Sequence, residues 1–165
     1  MRTKKTLYGM ALLLALGVIP AEAAFTVNFN GILVSTPPEC TIDGGTTADV
    51  DFGDVHETLI DSSSYKRLPI NYTLNCTQVY SNALKMTLSW SALTINGQNV
   101  VRTNRTNLGI AIYQDGTRLS NGSVINFTYG GAMPSLYAVL VKPAGTVLTD
   151  GGSFNGTLTL VVDYR

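Results

Sequence analysis

Apolar and polar residues alternate with a period of two along most of the chain, and almost nothing stands at helical spacing. Phe25, Val27, Phe29 and Leu33 carry apolar side chains, with Thr26, Asn28 and Asn30 between them, which predicts a β-strand with one buried face. Pro37-Pro38 follows, and proline cannot donate to a sheet ladder, so this strand is set apart from those after it. Within residues 48–55, Val50 and Phe52 alternate with Asp49 and Asp51. Leu68, Ile70, Tyr72, Leu74 and Cys76 then alternate with Pro69, Asn71, Thr73 and Asn75, so one continuous strand is expected with the Cys76 sulfur on its apolar face.

Leu84, Met86, Leu88 and Trp90 predict another half-buried strand, and Asn96-Gly97 marks a type I′ hairpin turn because both centres need positive φ. Leu108, Ile110 and Ile112 lead to Asp115-Gly116, and Asn121-Gly122 precedes a strand over 124–129. Residues 136–141 are apolar on both parities, as expected of a strand covered on both faces. After Asp150-Gly151-Gly152, the residues Phe154, Leu158, Leu160, Val162 and Tyr164 share one parity with Gly156. That pattern predicts a strand from Phe154 to Tyr164 whose outer edge has nothing after it to pair with. Short strands separated by turn signals indicate an antiparallel β-sandwich, and the two cysteines fit an immunoglobulin-like one. Trp90 does not match the antibody Cys-Trp-Cys spacing.

The start of the chain has a different character. Arg2, Lys4 and Lys5 precede an apolar run of 13 residues over 7–19, and Ala21-Glu22-Ala23 supplies small residues two apart. This is the pattern of a secretory signal peptide, 1–23, and the run is too short to span a bilayer. The exported chain would begin at Ala24, with 8 basic and 10 acidic residues and no membrane insertion. No clustered basic surface exists beyond the pair Lys66-Arg67, so neither nucleic acid nor an anionic membrane is an expected partner. Export also makes a disulfide the expected state of Cys40 and Cys76, the only cysteines.

Candidate chemistry is thin. His56 is the only histidine and no nucleophile elbow accompanies the serines, so no enzyme is expected. Asp49, Asp51 and Asp54 fall on a strand pattern and lack the glutamate of a calcium loop, so no metal or other cofactor is expected. Six Asn-x-Ser/Thr sequons, at Asn71, Asn75, Asn104, Asn121, Asn126 and Asn155, follow from a composition rich in Asn, Thr and Ser. Trp90, Tyr80 and Tyr129 do not cluster, yet a secreted monomeric carbohydrate-binding β-sandwich is the alternative reading.

Several of these features together resemble pilin subunits of chaperone-usher fimbriae. They are the signal peptide, the alternating first strand with Gly31, Cys40-Thr41-Ile42, Val50-Asp51-Phe52-Gly53, the second cysteine, Gly152 fourteenth from the C-terminus and the penultimate Tyr164. The resemblance implies an immunoglobulin-like sandwich lacking its final strand, over 37–165, completed in trans by donor-strand complementation, a form of strand addition to a sheet edge. Residues 24–36 would be the donor extension, with Phe25, Val27, Phe29 and Leu33 as plugs and Gly31 passing a constriction. Gly152, Phe154, Leu158, Leu160, Val162, Tyr164 and Arg165 would form the groove-edge strand held first by a periplasmic pilus chaperone. The other implied partners are the outer-membrane usher and neighbouring pilin subunits, on the way through the periplasm to a cell-surface fimbrium. Burying four plugs yields roughly 6 to 12 kcal/mol, and ordering nine residues costs roughly 9 to 18. Ladder bonds at about 1 kcal/mol each must supply the difference, so the extension is expected to order only against a rigid sheet edge. Pro37-Pro38-Glu39-Cys40-Thr41-Ile42 and Gly109-Ile110-Ala111-Ile112-Tyr113 look more like minor, tip-associated adaptors than rod subunits.

Overall fold

The computed structural model describes residues 25–34 and 36–165; the expected signal segment lies outside them. The chain divides into two units, Met1–Val34 and Ser35–Arg165. In the first, residues 25–34 contain no strand, and Phe29 and Leu33 are 91% and 96% exposed. The strand expected here is therefore not formed within this chain. A single extended segment cannot satisfy its own backbone donors and acceptors, which stay with water until a neighbouring edge offers a ladder.

Among the described residues the second unit has eleven strands, all paired antiparallel. They are β1 Glu39–Ile42, β2 Leu68–Ile70, β3 Leu74–Thr77, β4 Ala83–Trp90, β5 Ala92–Ile95, β6 Gln98–Arg102, β7 Gly109–Gln114, β8 Thr117–Arg118, β9 Val124–Thr128, β10 Leu136–Val141 and β11 Leu158–Tyr164. One sheet has the order β2-β10-β7-β6-β5, with β8 on β7; a second has the order β11-β4-β9; β1 and β3 form a two-stranded piece. The main core contains Leu84, Met86 and Leu88 of β4, Ile110 and Ile112 of β7, and Leu136, Ala138 and Leu140 of β10. This is the all-β antiparallel sandwich that the alternation implies.

Local patterns explain these elements. Asn96 and Gly97 have φ of 51° and 73°, the two positive centres of a type I′ turn, and they join β5 to β6. In β10, Leu136, Ala138 and Leu140 enter the main core, while Val139 and Val141 lie on the other face, Val141 in a second cluster with Ile95, Val100 and Ala111. That is why both parities of the strand are apolar.

Three expectations need correction. The single run from Leu68 to Cys76 is two strands, because β2 pairs with β10 and β3 pairs with β1, and residues 71–73 carry the chain from one sheet to the other. Its apolar parity persists since the same face looks into the core throughout. The strand expected within 48–55 keeps its alternation, with Phe52 buried and Asp49 and Asp51 exposed, but has no ladder. The last strand begins at Leu158 rather than Phe154.

Cys40 and Cys76 form the expected disulfide, linking residues directly opposite each other in the β1–β3 pair. Both pack against the main core.

Candidate functional site: a groove beside the last strand

Among the described residues strand β11 pairs with β4 on one side only, so it forms an edge of its sheet. The consequence is visible across the register. Leu88, Met86 and Leu84 of β4 are fully covered, whereas Leu160, Val162 and Tyr164 opposite them are half-buried. The apolar side chains of β11 face the sandwich interior but lack a neighbour on the outer side.

Beside them runs a groove of about 880 Å³, with one wall made by residues 46–52 and the other by residues 154–160. Ile70, Val101, Ile110, Ile112 and Ala138 line its floor, and Tyr72 stands among them. The Tyr72 hydroxyl donates to the Pro134 carbonyl at 2.6 Å, and burial pushes its pKa up to about 12. The floor is therefore neutral and apolar, while Asp43, Asp49, Asp51 and several threonines stand along the walls. Such a groove suits alternate apolar side chains on an extended peptide, and the free backbone groups of β11 suit its main chain.

Hydrogen bonds hold both walls in place. Asp43 follows β1 in a single 3₁₀ turn, and its Oδ1 accepts from the Thr73 amide at 2.7 Å and the Thr73 hydroxyl at 3.0 Å. This contact and the disulfide anchor the chain just before the 46–52 wall. On the other side Thr106 N donates to Asp150 Oδ2 at 2.7 Å, which holds that carboxyl below its ordinary range, and Arg105 Nε donates to the Ser153 carbonyl at 2.8 Å. Gly152 lies in this turn with φ of 115°, a conformation favoured by glycine, and the Arg105 guanidinium lies over it. Phe154 crosses toward Phe52, with ring centroids 5.8 Å apart at 45°. Beyond that contact a second space of about 710 Å³ runs along residues 50–57 toward Arg105 and Gly152.

At the far end of β11 the Tyr164 hydroxyl accepts from the Tyr80 amide at 3.0 Å, and Arg165 N donates to the Ala83 carbonyl at 3.1 Å. These bonds fasten the C-terminus to the start of β4. Of the groove-edge residues read from sequence, Phe154, Leu158 and Leu160 line the groove, Val162 and Tyr164 continue the same face, and Gly152 and Arg165 lie at the two ends. Phe25, Val27, Phe29, Gly31 and Leu33 belong to the first unit. Sequence reasoning assigned no role to Asn104, Gly156 or the apolar floor, which come together only through the packing of two sheets. His56 is exposed, and its amide donates to the Tyr65 hydroxyl at 3.2 Å. Among the described residues no group of three or more His, Cys, Asp or Glu could hold a metal ion.

Comparison with known proteins agrees with this architecture. The family described as fimbrial protein matches residues 17–165. The uncharacterized fimbrial-like protein YfcR of Escherichia coli (strain K12) is 38% identical over 81% of this chain and 78% of its own length. The P pilus adaptor subunit PapF has a solved structure that aligns with a TM-score of 0.59 at 25% identity, covering 79% of this chain and 98% of PapF. The P pilus rod subunit PapA aligns with a TM-score of 0.57 at 22% identity, covering 85% of this chain and 100% of PapA.

Proposed function

This chain belongs to the fimbrial protein family as a chaperone-usher pilin, and we propose that it polymerises by donor-strand complementation. In this reading the groove beside β11 accepts a donor strand, first from a periplasmic chaperone and then, at the outer-membrane usher, from the next subunit. Residues 24–36 are donated in turn to the groove of the preceding subunit, after removal of the signal segment 1–23. Phe25, Val27, Phe29 and Leu33 fill that groove, and Gly31 passes where a side chain does not fit.

The observation that carries the reading is the apolar groove of about 880 Å³ along the unpaired edge of β11. A sandwich that kept all its strands would cover Leu158, Leu160 and Val162 from that side. The unpaired course of residues 46–52 has the same explanation: it is the opposite wall of the groove. The resemblance of Pro37–Ile42 and Gly109–Tyr113 to minor subunits supports a place as a tip-associated adaptor in cell-surface fimbriae.

The test is periplasmic expression of the full chain and of a form lacking residues 24–36, each with and without a pilus chaperone. Both forms should accumulate only with the chaperone, and only the full chain should be incorporated into a fibre. Stable accumulation of either as a monomer without chaperone would overturn the incomplete-fold reading.

A further inference from the structure

Residues 154–157 line the groove but precede the β11 ladder, so no sheet hydrogen bonds tie them to β4. They are fastened instead to the opposite sheet. Asn155 N donates to Asn104 Oδ1 at 2.9 Å, and Asn104 N donates to the Asn155 carbonyl at 3.2 Å. Asn104 stands two residues beyond the end of β6.

Gly156 is next in the chain, and the floor presses directly against it. A Cβ there would lie 3.1 Å from the Arg102 carbonyl oxygen, 3.2 Å from Val101 Cγ1 and 3.4 Å from Ile110 Cδ1. The first of these is backbone at the end of β6, where the Arg102 amide is bonded to the Ser91 carbonyl at 2.8 Å, so it cannot swing aside like a side-chain tip. Val101 and Ile110 belong to the groove floor. The Gly156 backbone lies outside the left-handed region, so alanine could adopt its conformation and the constraint is one of space alone.

We propose that Gly156 and Asn104 are positioning residues for donor acceptance: the missing side chain and the paired asparagines seat the 154–157 wall on Val101 and Ile110. That seat also places Phe154 against Phe52, which narrows the groove at this end. A methyl group at 156 requires the Arg102 carbonyl, Val101 and Ile110 to give by a few tenths of an ångström, which loosens the seat of the wall and strains both Asn104–Asn155 bonds. The incoming strand then meets an edge that must be ordered during binding instead of one already rigid. The inference rests on the groove being the donor acceptor.

The experiment uses the full chain bound to its chaperone and a synthetic peptide of residues 24–36 as donor, with the rate of chaperone displacement as readout. Gly156→Ala should slow uptake roughly tenfold, the effect of about 1.4 kcal/mol of strain where the wall meets the floor. Gly151→Ala is the control in the same segment: a Cβ there meets nothing within 4 Å, and its rate should match the parent. Asn104→Ala should slow uptake too, and the double variant should be little slower than Gly156→Ala, because both act on one seat. A Gly156→Ala rate within roughly twofold of the parent overturns the proposal, since overpacking of this kind predicts a larger effect. If Gly156→Ala yields no chaperone complex, Asn104→Ala decides alone, and an unchanged rate there overturns it equally. A parent chain that takes up no peptide overturns the groove reading itself, a result distinct from equal rates in parent and variant.

Discussion

Removing the Cys40–Cys76 disulfide should damage the groove as well as the stability of the domain. The bridge joins opposed residues of β1 and β3, a sheet of only two strands, and an isolated pair of strands is marginal in water. It closes a loop with a sequence separation of 36, and the chain-entropy estimate for such a loop is roughly 4 kcal/mol at 25 °C. Single domains are stable by about 5 to 15 kcal/mol, so the loss is a large part of the total. Because β1 leads through Asp43 into the 46–52 wall, the same change frees one side of the groove. A Cys40→Ala, Cys76→Ala double variant should be assayed by urea denaturation of the domain complemented with a donor peptide, beside the oxidised parent. The midpoint should fall while the slope rises somewhat, because the unfolded chain without the cross-link is less compact, and peptide uptake should slow in parallel. A loss below about 1 kcal/mol would refute the argument, since it would mean that the β1–β3 pair holds without its covalent link.

Two further outcomes test the energetics. Leu88 is fully buried at the middle of β4, between β11 and β9, so Leu88→Ala should cost about 2 to 5 kcal/mol in the same denaturation assay. Glu57 accepts from Lys142 Nζ at 2.8 Å and from Leu148 N at 3.3 Å; the hydrogen bond from Lys142 is the larger cause of a pKa held below the ordinary carboxylate range. A depressed folded-state pKa stabilises above the unfolded value and is lost as pH falls through the folded one, so protection of the Leu148 amide should persist at neutral pH and decline only as pH falls below the ordinary carboxylate range. Amide-exchange protection factors measured against pH should show this step in the parent and none in Glu57→Gln.

Much of the fold was legible because a sandwich strand with one covered face repeats apolar residues every second position. Leu84, Met86, Leu88 and Trp90 announce β4, and Asn96-Gly97 announces its turn through two positive φ values. The readings that failed share a cause. Alternation reports which face is covered, and it says nothing about whether a neighbouring strand is present. Residues 48–55 and 154–157 alternate correctly and have no ladder.

The amino-acid pattern alone carried the β character, the apolar face of nearly every strand, the pairing of the two cysteines and the resemblance to one family. Each of these depends on local spacing or on residue type. Packing in three dimensions was needed to show that the run from Leu68 to Cys76 changes sheets, that residues 46–52 stand across a groove from β11, and that Gly156 rests on Val101, Arg102 and Ile110. Those facts depend on which distant segments meet, and a glycine whose role is to let two sheets approach looks, along the chain, like any other glycine.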